Sequence, residues 1–87
     1  MQTPDAIVER TGAPADRPRE VLDVRSLGPP EPLARTLERL VELPEETLLV
    51  QRNDRVPQFL FPKLDERGYA YETVELDDEV VTVIWRA

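Results

Sequence analysis

No cysteine and no histidine occur anywhere in the 87 residues of this chain. The first absence excludes disulfides, thiolate metal sites and any thiol nucleophile. The second removes the commonest general base and the commonest neutral metal ligand. Three glycines in total leave no Gly-rich phosphate loop. Basic charge is also scarce: 11 Lys and Arg against 18 Asp and Glu give −7, which opposes binding to a nucleic-acid backbone or an anionic lipid surface. Lys63 is the one lysine, and the arginine bias fits either a high-salt cytoplasm or GC-rich codon usage. No apolar run approaches the roughly 18 residues of a membrane span, and no basic-then-apolar signal pattern opens the chain. These absences point to a cytoplasmic protein with no metal, no cofactor, no nucleic-acid partner and no membrane.

What remains is an ordinary globular balance, 40% hydrophobic and 33% charged, in a length that makes one domain. Residues 1–19 hold Pro4, Pro14 and Pro18, with only Ile7 and Val8 as a larger apolar pair. Without a sustained period they read as a flexible N-terminal extension, apart from a short docking turn at residues 6–10. Residues 21–25 alternate as a first strand with Leu22 and Val24 inward. After the break at Gly28, the spacing of Leu33, Leu37, Leu40 and Val41, with Ala34 between, predicts an amphipathic helix from Glu31 to near Leu43.

Residues 47–52 (TLLVQR) form an apolar run suited to a central strand. A second helix follows, starting at Pro57 or at Pro62, burying Leu60, Phe61 and Leu64 and stopping at Gly68. Residues 70–76 and 80–86 close the domain as a hairpin around Asp77, Asp78 and Glu79. The order βαβαββ predicts an α+β fold, a two-layer α/β sandwich with both helices on one face of a four-stranded mixed sheet. The other face is expected to be largely open, with Val80, Thr82 and Ile84 forming an apolar contact patch on it.

Four short stretches in order, LDVR (22–25), PPEP (29–32), ND-x-x-P (53–57) and ERGY (66–69), carry a family likeness. The chain resembles the TusA/SirA-type sulfur carriers from about residue 20 to 86, and most closely an uncharacterised branch that lacks their cysteine. The resemblance implies a TusA-like domain at residues 20–87 and strand order 1-2-4-3. In the sulfur carriers the first residue of a CPxP helix start bears the persulfide. Pro29 stands there, a degenerate active-site position with no nucleophile, so persulfide transfer is excluded. The branch often places a histidine after its second strand, where Arg55 stands here.

The prolines of GPPEP donate no hydrogen bonds, which suits a rigid helix start and weakens any anion cradle. Pro30, Glu31 and Pro32 then offer either a preset first turn or a recognition surface. Asp23 and Arg25 form either a solvated ion pair or part of a polar site with Gln51 or Arg52. Asn53 and Asp54 read as a turn or cap, or as ligand-site residues. Arg55 lies where it could meet an anion near the GPPEP turn. Asp77, Asp78 and Glu79 read as a solvated turn, or as a loose site for a hard cation. Two functions follow. One is a non-catalytic interaction or accessory module, by descent linked to sulfur or redox metabolism, with a protein partner or a second copy of itself. The other is a small-molecule or anion-binding domain around Arg25 and Arg55.

Overall fold

The computed structural model describes residues 3–28 and 31–86. The expectations placed on Pro29 and Pro30 lie outside the described residues. Four strands, β1 (Arg19–Asp23), β2 (Leu48–Asn53), β3 (Tyr69–Glu75) and β4 (Val80–Arg86), form one sheet in the order β1-β2-β4-β3. β1 and β2 are parallel, and both pairings of β4 are antiparallel. This is the α+β arrangement that the alternation of elements predicts.

Helix α2 (Glu31–Glu42) and helix α3 (Leu60–Glu66) lie on the same face of the sheet. Leu33, Leu37 and Leu40 of the first pack with Leu60 and Leu64 of the second over Leu49 and Ile84. Two members of the expected stripe fall outside it, since Val41 is 73% exposed and Ala34 is exposed. The fully enclosed position of α2 is Thr36, beside buried Leu40. Helix α3 starts between the two expected prolines. Pro62 is its third residue, and the first-turn N–H groups have no helical partner, so the missing donor costs nothing there. Gly68 ends it at φ +76°, a left-handed conformation that a Cβ would strain.

The second face corrects the sequence reading. Residues 3–18 pack on the sheet rather than extend from it, and the face is not open. Helix α1 (Pro4–Glu9) buries Ile7 and Val8, and with Ala13 they cover Leu48, Val50, Val81 and Val83. Thr3 caps α1 by accepting from Ala6 N–H at 3.1 Å, and Pro4 supplies its preset first turn. The segment is tied down along its length. Gly12 N–H donates to Glu72 at 3.1 Å, Arg17 to the Arg86 carbonyl at 2.8 Å, and Arg19 pairs with Asp5 at 3.3 Å. Leu48 N–H donates to the Pro18 carbonyl at 2.8 Å, which leads directly into β1. Thr82 and Ile84, expected on an open patch, are buried beneath the other helices.

The physical reason is the two-sided apolarity of β2 and β4. Each buried aliphatic side chain contributes roughly 1.5–3 kcal/mol, while a whole domain retains only about 5–15 kcal/mol. A face carrying Leu48, Val50, Val81 and Val83 therefore gains from any apolar cover within reach, and two large residues on one short turn suffice. Replacing Ile7 by Ala is expected to cost about 2–5 kcal/mol in urea unfolding. A tail that merely hangs from the domain would leave the midpoint unchanged.

Candidate functional site

β2 is flanked on both sides, so side chains on its helix-covered face lie away from water. Two of them are carboxamides, Gln51 at 0% and Asn53 at 3% exposure. Such groups must find partners inside the protein. Thr36 supplies the first. Its hydroxyl donates to the Pro32 carbonyl one turn back at 2.7 Å, so its oxygen can only accept from Gln51 Nε2, also at 2.7 Å. That fixes the Gln51 amide, turning Oε1 towards Asn53 Nδ2 at 3.5 Å. Asn53 is fixed independently, because its Oδ1 accepts from the Asp54 N–H at 2.8 Å. The result is a directional chain in which every donor points back towards α2.

Above this chain, where β1 and β2 end, a cleft of about 300 Å³ opens. Gln51 and Asn53 line it together with apolar Leu27, Leu33, Val56 and Leu60. The loop from β2 to α3 forms one wall and is held by short turns, Gln58 N–H to the Val56 carbonyl and Leu60 N–H to the Pro57 carbonyl, both at 2.9 Å. Phe59 also borders the cleft and is 78% exposed. Arg55 and Asp54 border it as an ion pair at 3.1 Å, and the guanidinium lowers the Asp54 carboxyl below its usual range. Both side chains are well exposed, so the pair contributes little to stability. Pro32 lines the same cleft, which places Arg55 and the second half of the GPPEP turn around one space. Glu31 is exposed and pairs with Arg35 at 3.4 Å along α2.

Asp23 and Arg25 belong elsewhere. They lie with Arg52 and Glu79 on the side of the sheet that α1 covers, in an alternating network of two cations and two anions. Arg25 grips Asp23 at 2.8 Å and approaches Glu79 at 3.8 Å, and Arg52 holds Glu79 through two contacts at 2.7 and 2.8 Å. Arg25 lines a second depression with Arg52 and Glu79, whereas Arg55 lines the cleft. The expected single site around Arg25 and Arg55 is thus corrected to two separate places. The strand pleat separates them, since Arg52 and Gln51 are neighbours in sequence and point to opposite faces. Gln51 consequently does not join Asp23 and Arg25, but Arg52 does. Glu79 of the hairpin turn is tied up in this network. Among the described residues no group of three acidic side chains is placed to hold a metal ion.

The sequence reading missed Thr36 and did not see that Gln51 and Asn53 form one chain. A signal existed in the polar pair interrupting the run LLVQRN, since polar residues on a central strand have to be paired. Replacing Thr36 by Val keeps the shape but leaves the Gln51 amide without its acceptor, and is expected to destabilise by about 1–3 kcal/mol in urea unfolding. A neutral result would mean that Gln51 turns to another partner.

The ion network also makes stability acid-sensitive. Hydrogen bonds from Arg25 depress Asp23 from its usual 3.8 to about 2, and Arg52 depresses Glu79 below its usual 4.5. Groups held low in the fold stabilise it above their unfolded values, and that contribution fades as pH falls through the folded ones. Tm is expected to drop between about pH 4.5 and about pH 2. Glu79→Gln should lower Tm at neutral pH and make the acid decline shallower, as followed by circular dichroism. Identical profiles for the two proteins would show the network to be screened out by water.

Comparison with known proteins adds one match. A family model described as an uncharacterized conserved protein (DUF2249) matches residues 21–86. No curated protein and no solved structure matches. The covering segment with α1 lies outside the matched range.

Proposed function

The chain belongs to the DUF2249 family of uncharacterized conserved proteins, and within that frame we propose that it is a non-catalytic binding module that takes a small molecule in the cleft between α2 and the β2–α3 loop. The observation that carries this reading is the cleft itself: about 300 Å³, mostly apolar walls, and two buried carboxamides in its lining. A concave, largely apolar space with a few fixed polar groups is the usual form of a ligand site, and this volume sits at the small end of that range. The absence of cysteine and histidine from the sequence supports binding rather than chemistry.

Within this proposal the frame is that of a TusA-like carrier with its thiol position silenced at Pro29. The order of strands and helices is compatible with such descent, and a link to sulfur or redox metabolism follows from that resemblance alone. The interaction-module reading loses its open sheet face, which α1 covers. It keeps exposed apolar groups, among them the phenyl ring of Phe59, which lines the cleft with Val56. That ring also serves the small-molecule reading, as an aromatic surface that can close over a bound group.

The test is a ¹⁵N-labelled NMR titration with neutral fragments. Saturable shifts are expected at the amides of Leu33, Asn53, Val56 and Phe59, with the amides of Glu75 and Val81 unmoved. Shifts that never saturate, or that cluster at Glu75 and Val81, would end this reading.

A further inference from the structure

We propose that the cleft selects a compact apolar group ending in a neutral hydrogen-bond acceptor, a carbonyl of the carboxamide or ester type, and rejects both anions and ammonium groups. This inference rests on the small-molecule reading above and specifies its ligand class.

Each carboxamide nitrogen carries two N–H donors. In Gln51 one is given to Thr36, and in Asn53 one is directed at Gln51 over a long 3.5 Å contact. The chain is directional, because the Thr36 hydroxyl proton is committed to the Pro32 carbonyl and Asn53 Oδ1 to the Asp54 N–H. Neither amide can flip without losing a 2.7–2.8 Å bond. Among the described residues, one donor on each amide has no partner; Gln51 is 0% exposed, so the donor within a ligand's reach is that of Asn53, which lines the cleft at 3% exposure. A donor bordering an apolar space calls for an acceptor, and an ammonium group, which can only donate, meets only the Asp54 carboxylate, already held by Arg55.

Charge decides between a neutral acceptor and a carboxylate. Arg55 is the cation bordering the cleft among the described residues, and Asp54 already holds it through contacts at 3.1 and 3.3 Å. An incoming carboxylate would share the guanidinium with Asp54 at close range, inside a chain of net charge −7. Like charges around one site repel, and in a partly dry cleft that repulsion is weakly screened. A neutral carbonyl accepts the Asn53 proton without this penalty.

Three probes with one tail separate the possibilities: hexanamide, hexanoate and hexylammonium, titrated into the ¹⁵N-labelled full chain at neutral pH. Hexanamide is expected to bind about tenfold more tightly than either charged probe, the worth of one well-made hydrogen bond. Asn53→Asp retains the acceptor for the Asp54 N–H but replaces the spare donor with a carboxylate, and should weaken hexanamide about tenfold while the folded spectrum persists. If that variant does not fold, Asn53→Ser is the substitute, with the same weakening expected. Hexanoate or hexylammonium binding in the cleft as tightly as hexanamide would overturn the ligand class and leave the small-molecule reading standing. No saturable shift with any of the three would overturn both.

Discussion

The pairing of β2 with β4 at the centre of the sheet imposes the constraint that everything else answers. Both strands are apolar on both sides. Leu48 and Val50 with Val81 and Val83 face one way, and Leu49 with Ile84 faces the other. A sheet of this kind needs two covers. Helices α2 and α3 supply one. Residues before β1 supply the other, through the turn carrying Ile7 and Val8. The N-terminal segment is thereby part of the domain's core although it lies outside the matched range of the family model.

The same central position explains why the polar residues of β2 are so consequential. Gln51 and Asn53 lie on a strand shielded by neighbours on both edges and by helices above, so water cannot satisfy them. The protein meets this need with Thr36 of α2 and the backbone at Asp54. On the same face further along, Thr73 and Thr82 satisfy each other across β3 and β4 at 3.0 Å. The two solutions differ in where they lie. The threonine pair does not line the cleft, whereas both carboxamides do.

Electrostatics follow a similar division. The chain is strongly acidic, yet several arginines are spent on specific carboxylates: Arg25 on Asp23, Arg39 on Glu20, Arg52 on Glu79 and Arg55 on Asp54. Arg39 with Glu20 ties α2 to β1, and Arg52 with Glu79 ties β2 to the β3–β4 turn. These pairs orient elements more than they stabilise them, because most are half open to water.

Residue order alone was enough for the α+β class, the two helices on one face, the βαβ parallel unit and the closing hairpin, because those features rest on local periodicity and on turn residues such as Gly68 and Pro44. It also excluded thiol and imidazole chemistry outright, since a missing residue type cannot be restored by folding. Tertiary structure decided the rest. A six-residue helix has too few apolar positions to show a period, so the docking of Ile7 and Val8 becomes visible only against the sheet they cover. The strand pleat sent Arg25 and Arg55 to different places and brought Thr36, Gln51 and Asn53 together across 17 positions of sequence. Hydrogen-bond partners on different elements leave no local pattern, and the cleft above them exists only once the helix and the loop are in position.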